Sequence, residues 1–300
     1  MNKLEKSLLK SIENGQTAFL IGNGINRYPN NPIERSWENI LVAINNELTK
    51  PPINYIPKGI TLTEFHDVLD LKTDEKSSVI QQAFIDKLKW EADEHHKKII
   101  ATIKRLNLPI LTTNFDLVLE SCENCNLYRH KINGYRALTD YYPWDTYYSD
   151  RFKENPFDNF SIWHMHGQTD YKRSIKLGLN HYMLMVNRAK THFPNTSSIE
   201  FNPEFGRTWL KLIFEKDLCI FGLGLDEQEV FIRWLFLERA KYFKKYPEKA
   251  KEGWYINFDD SNEYNLGKKF FMKSVGIKYI DYLEENKYDK FYIDFWKQFE

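Results

Sequence analysis

An amide and a carboxylate two residues apart, Asn114 and Asp116 in Leu111-Thr-Thr-Asn-Phe-Asp116, are the side chains of this chain best placed to do chemistry. Two histidines with the same spacing, His164 and His166 in Trp163-His-Met-His-Gly167, join them. An amide can orient water or a sugar hydroxyl, a carboxylate can face developing positive charge, and an imidazole can take a proton near neutral pH. Together they suit stabilising a developing positive charge and placing a water beside it. Each also has a plainer role: Asn114 as a helix cap, Asp116 as a first-turn carboxylate, and the histidines bonded to backbone. On a strand, His164 and His166 share a face and could chelate zinc or iron. His66, His130, His181 and His192 stand in no ligand spacing, so no metal is expected. His95 and His96, adjacent on a predicted helix among Asp93, Glu94, Lys97 and Lys98, read as a solvated face.

Strands and turns must position these groups. The apolar run from Pro109 predicts a buried strand ending at Asn114, followed by a helical Leu117-Val-Leu-Glu120. Thr17-Ala-Phe-Leu-Ile21 predicts a strand running into Gly22-Asn-Gly-Ile-Asn26, and Leu218-Cys-Ile-Phe221 one opening into Gly222-Leu-Gly-Leu-Asp226 and a helix over 229–241. Strand, glycine turn and helix bring backbone amides close to a pyrophosphate, although a single such unit is equally an ordinary tight turn. Arg27 stands where the dinucleotide fingerprint has its third glycine, and no phosphate-loop lysine follows, which argues against kinase-type or ATPase-type binding. Further strands are expected at 160–166, 175–178, 253–258 (ending in Asp259 and Asp260) and 277–280. Strands alternating with helices predict an α/β, Rossmann-like, doubly wound and mainly parallel sheet. Residues 1–300 read as one domain with a helical insertion at 50–107, its helices at 62–71, 77–90 and 93–106.

Three hundred residues, 42% hydrophobic and 16% aromatic, can bury a large core, which excludes a disordered chain. Lysine plus arginine and aspartate plus glutamate both number 42, so net charge gives no field to gather nucleic acid or anionic membrane. Cys122 and Cys125 supply only half of a four-thiolate zinc site, and with Cys219 they make an odd three, expected to be reduced thiols. Leu4, Leu8, Leu9 and Ile12 mark an amphipathic N-terminal helix without a signal-peptide core, and no apolar run reaches bilayer length. A cytoplasmic protein is expected. The segment 135–160, with Tyr141, Tyr142, Trp144, Tyr147, Tyr148, Phe152 and Phe157, is a candidate lid or protein-contact surface, or a packed loop.

Taken in order, Gly22-Asn-Gly-Ile-Asn26, Thr112-Thr-Asn-Phe-Asp116, His166-Gly167 and Gly222-Leu-Gly-Leu-Asp226 resemble the motifs of the sirtuin-like superfamily, over about residues 17–282. The similarity is to the bacterial NAD hydrolases of antiviral defence. The chain lacks the proline-aspartate-phenylalanine-arginine stretch and the four-cysteine module of the zinc-containing deacylases. The resemblance implies NAD as substrate, with its pyrophosphate over Gly22, Asn23, Gly24 and Asn26. It implies Asn114, Asp116 and Thr113 near the nicotinamide ribose and carboxamide, and His166 as the catalytic histidine. Gly222, Gly224 and Asp226 would grip the other half. Leu223 and Leu225 replace the serine or threonine that often holds the adenosine ribose, so backbone amides or Asn257 are expected there. It further implies an effector held off until a separately encoded sensor or oligomerisation releases it, with the aromatic segment or the C-terminal helix as contact surface. ADP-ribose transfer, sirtuin-type deacylation and a non-catalytic NAD-sensing or ADP-ribose-sensing module are the alternatives.

Overall fold

The computed structural model describes residues 3–73, 77–130, 144–193, 201, 205–227, 229–258 and 263–300. In chain order the elements are α1 (Lys3–Glu13), β1 (Thr17–Ile21), α2 (Gly24–Arg27), α3 (Trp37–Leu48), α4 (Leu62–Lys72), α5 (Ser77–Asp86) and α6 (Glu94–Arg105). Next come β2 (Pro109–Thr112), α7 (Val118–Ser121), β3 (Asn126–Arg129), β4 (Thr146–Ser149), β5 (Ser161–His164), α8 (Leu179–Lys190) and α9 (Leu210–Glu215). The chain closes with β6 (Asp217–Phe221), α10 (Val230–Lys245), β7 (Gly253–Asn257), α11 (Glu263–Ser274), β8 (Lys278–Asp281) and α12 (Lys287–Asp289), which continues into a π-helical turn, Lys290–Phe295.

The strands form one sheet in the order β3-β4-β5-β2-β1-β6-β7-β8. It is parallel from β5 to β8, and β3 and β4 run antiparallel at one edge. This is the α/β, Rossmann-like, mainly parallel architecture that the alternation of elements predicts. From β1 the chain winds outward through β2 to β5, then returns to the other side of β1 as β6. The winding therefore reverses between β1 and β6, and in open α/β sheets ligands sit at the carboxyl ends of strands at such a point.

Strands covered on both faces need apolar residues at nearly every position, and β1, β2, β5, β6 and β7 are buried throughout. Phe19, Ile21, Ile110, Ile162, Phe221 and Trp254 pack against α1, α6 and the C-terminal helix. Ala18, Leu20, Leu111, Trp163, Leu218 and Ile220 pack against α8, α9, α10 and α11. Buried Arg239 on α10 donates to the carbonyls of Ile213, Lys251 and Glu252 (2.8–3.0 Å), joining α9 to the chain entering β7.

Of the helices expected between residues 50 and 107, α6 lies on the sheet, with Ile99, Ile100 and Ile103 beside Phe19 and Ile110. The α4 and α5 helices instead join α3 in a cap with small cores of its own: Ile40, Ile44, Leu69, Ile80 and Phe84 close over Phe115, and Leu41 meets Ile56 and Phe65.

The expected strand at 175–178 does not form. Lys176 N–H donates to the His166 carbonyl (3.0 Å) just after the Gly167 turn, a local contact with no ladder beyond it, and Ile175 is buried in the cap. A 3-10 turn, Phe205–Arg207, leads into α9. Residues 135–143 of the aromatic segment, with Tyr141 and Tyr142, lie outside the described residues, as do Asp259 and Asp260. In the described part, Trp144 stacks on Trp209 (centroids 5.1 Å apart) and Phe157 on Trp163 (5.2 Å). Both pairs are buried, and Phe152 is half exposed. The C-terminal helix likewise buries Phe291, Phe295 and Trp296 in the core. The three cysteines carry free thiols. Among the described residues no helix is long and apolar enough to cross a membrane.

Candidate active site

The two glycine turns meet where the winding reverses. Gly22 N–H donates to the Phe221 carbonyl (3.0 Å) and Gly24 N–H to the Gly222 carbonyl (2.6 Å). A Cβ on Gly22 would lie 2.5 Å from the Gly222 oxygen, and one on Gly24 would lie 2.7 Å from the Gly222 Cα. Gly222 itself has φ +66°, a conformation few residues adopt cheaply. The glycines are thus required by contact between two backbones, in addition to any ligand.

Above these turns opens a cleft of about 670 Å³, its walls including Asn23, Gly24, Arg27, Thr113, Gly222, Gly224 and Asp226. A second, smaller cavity of about 60 Å³ lies under the cap, and Trp37, Leu62, Thr113 and Glu229 line both. Its walls include Phe84, Phe115, Tyr182 and His166. The His166 ring is edge-on to Phe115, Tyr182 and Phe231, with centroids 5.1–6.3 Å apart. Its Nε2 is buried without a hydrogen-bond partner among the described residues. Burial without a counter-charge pushes His166 down to about 3, so it stands as neutral imidazole, unlike the near-neutral titration expected of an exposed histidine.

His164 and His166 do not share surroundings as a continued strand would require, because β5 ends at His164 and the chain turns at Gly167, φ +97°. His164 contacts Tyr148, bonds the Asn114 carbonyl through Nδ1 (2.7 Å) and meets Glu120 Oε1 through Nε2 (2.8 Å). This buried pair anchors the backbone of Asn114. The Asn114 side chain is itself fully buried, and neither atom of its amide has a partner among the described residues. Leaving such groups unpaired costs on the order of 1–3 kcal/mol each, so the amide favours any polar group brought to it.

Asp116 turns away from both cavities. Its carboxylate accepts from Asn26 Nδ2 (2.9 Å) and Val118 N–H (3.1 Å), and desolvation raises it to about 6. Asn26 also donates to Asn23 Oδ1 (3.0 Å) and accepts from His96 Nε2 (3.1 Å), whose Nδ1 accepts from Asp93 N–H (3.1 Å). His95 meets the Ile25 carbonyl through Nε2 (2.8 Å). His95 and His96 are therefore buried, not solvated, because α6 packs beneath the first glycine turn and both rings hold that turn in place. Asp93, His95 and His96 offer ligand atoms within 4.8 Å of one another. His96 has committed both ring nitrogens to hydrogen bonds, however, and His95 one. Asn257 donates to Asp281 Oδ1 (2.8 Å) and stands outside the cleft wall, whereas its neighbours Ile256 and Phe258 line it.

Burial holds His96 down at about 3, against about 6.5 in an unfolded chain. A depressed folded value means that the contribution is complete above pH 6.5 and is lost as pH falls toward 3, where only the unfolded chain takes the proton. His96→Gln should cost about 1–2 kcal/mol at pH 7.5 through weakened hydrogen bonds. That deficit should shrink by pH 5, as measured from urea midpoints. An unchanged deficit would mean that His96 is not held neutral.

Of the residues singled out by sequence, the fold brings Asn23, Gly24, Thr113, Gly222, Gly224, Asp226 and His166 to the two adjacent cavities. Gly22, Asn26, Asp116 and Asn114 line neither cavity, the last three being buried. Sequence reasoning missed Glu229, Trp37 and Tyr182. It also missed the ring cluster of Tyr28, Phe258, Tyr288 and Tyr292 along the outer cleft, where Phe258 stacks on Tyr288 (4.8 Å) and Tyr28 on Tyr292 (4.8 Å). Compared with models of known protein families and with curated proteins, the chain matches none.

Proposed function

We propose that this chain is an NAD hydrolase of sirtuin-like type, releasing nicotinamide and ADP-ribose. The observation that carries this reading is the pair of adjacent cavities at the reversal point, the larger walled by both glycine turns and the smaller lined by His166. A 670 Å³ cleft has the dimensions of a cofactor-sized site. Arg27 offers it positive charge for a pyrophosphate, and Tyr288 and Phe258 offer ring faces for a base. The inner cavity would take the nicotinamide.

In the reaction the bond from C1′ to the pyridinium nitrogen breaks, and its electron pair neutralises the ring, so the leaving group needs no proton. Water adds to C1′, and the proton it loses passes to solvent water. His166, neutral and unpaired at Nε2, suits accepting a hydrogen bond from water or a ribose hydroxyl. The Asn114 amide, unpaired but lining neither cavity, would act from behind the wall by bonding a water admitted beside Thr113, and Asp116 supports the first glycine turn through Asn26. Unregulated NAD hydrolysis would poison the cell that makes the enzyme. The chain is accordingly proposed as the NAD-depleting effector of an antiphage system, released by a partner or by oligomerisation.

The test is to incubate the purified chain, alone and co-expressed with its genomic neighbours, with NAD and to quantify nicotinamide by chromatography. Release is expected in at least one combination, and Asn114→Ala should reduce it by orders of magnitude. NAD bound but uncut in every combination would favour a sensing module instead, and labelled acceptor would favour ADP-ribose transfer.

A further inference from the structure

Glu229 stands at the junction of the two cavities, and no motif or proposed step has used it. It immediately precedes α10, is partly buried, and lines the outer cleft and the inner cavity alike. Among the residues lining the inner cavity it is the one carboxylate. Trp37, Phe84, Phe115 and Tyr182 supply aromatic walls around it. A cavity of 60 Å³ is well below the roughly 150 Å³ that accepts benzene, so a ring entering it must displace wall side chains such as Trp37 or Phe84, or reach in from the outer cleft, whose wall Glu229 also forms.

We propose that the inner cavity is a receptor for a flat aromatic cation and that Glu229 is its counter-ion, selecting a charged pyridinium over a neutral ring of the same shape. This deepens the hydrolase reading and rests on it for the identity of the ring, although the cavity chemistry stands alone. Aromatic faces and a carboxylate both favour a delocalised cation. A neutral ring gains only apolar contact.

The charge around Glu229 agrees with the geometry. His166 and Tyr182 line the same cavity, and Asp226 lies three residues earlier. Arg233 follows one turn later on α10, with its guanidinium donating to the Leu225 carbonyl (3.1 Å). Desolvation and Asp226 push Glu229 up to about 7. A bound cation would supply the compensating charge.

The test uses two probes nearly identical in shape, 1-methylnicotinamide, which is cationic, and nicotinamide, which is neutral. Their dissociation constants are measured by NMR titration at pH 8 on the full chain. Wild type is expected to prefer the cation by about tenfold or more, the factor that about 1.4 kcal/mol of charge interaction gives. Glu229→Gln should abolish the preference, and Glu229→Asp, one methylene shorter, should keep part of it, with melting curves recorded for both. Equal binding of the probes to wild type, binding of neither, or an undiminished preference in a folded Glu229→Gln protein overturns the proposal. Nicotinamide release from NAD is followed in parallel. Cation preference without NAD cleavage would leave the receptor standing and remove the hydrolase, and cleavage without preference would do the reverse.

Discussion

Replacing His166 with alanine is expected to lower nicotinamide release from NAD by about 10²–10³-fold, the usual worth of one positioned hydrogen-bonding group at a reacting centre. The expectation follows from placement. His166 is the imidazole lining the inner cavity, and its free Nε2 is not committed to the fold among the described residues. The same lack of commitment limits the structural cost. Alanine removes ring contacts with Phe115, Tyr182 and Phe231, and stability should fall by about 1–3 kcal/mol, less than a small domain's whole reserve. Turnover in the activated complex should collapse while circular dichroism remains native. A variant retaining a tenth or more of wild-type activity would show that bond cleavage occurs elsewhere.

Gly22→Ala should produce the second large effect, this time through the backbone. The added carbon would sit 2.5 Å from the Gly222 oxygen and 2.7 Å from the Leu223 Cα. Neither atom belongs to a side chain that can swing away, so β1 and β6 must separate at their carboxyl ends. Overpacking of this kind costs about 1–3 kcal/mol or more. It also opens the floor of the outer cleft, so NAD affinity should fall with stability. Gly267→Ala is the contrasting substitution. Gly267 lies in α11 with nothing within 4 Å of the added carbon, and alanine there should raise stability by about 0.5–1 kcal/mol. Equal melting temperatures for the two variants would refute the pinch between the turns.

The sheet was legible because strands buried on both faces leave an unmistakable trace: Thr17-Ala-Phe-Leu-Ile21 and Asp217-Leu-Cys-Ile-Phe221 contain almost nothing but apolar residues. The glycine turns were legible because few residues other than glycine fit where backbones touch. Local pattern failed where distant packing decides. His95 and His96 sit among charged neighbours and look solvated, yet the first glycine turn, about seventy residues away in sequence, covers them. Asp116 has the type and spacing of a reactive carboxylate, and only the fold shows its oxygens turned to Asn26 and Val118. Glu229 gave no signal, since an acid at a helix start is ordinary. Its distinction is the company of Tyr182 and His166, which sequence order does not reveal.

The cap formed by α3, α4 and α5 draws its apolar cohesion from clusters separate from those that hold the sheet. Selection can therefore redraw the walls around the smaller chamber by changing Trp37, Leu62 or Phe84, with little penalty to the scaffold beneath. Lineages descended from such a chain are free to diversify the smaller chamber while the cleft over the glycine turns stays constant, and the cap is where that diversification should accumulate.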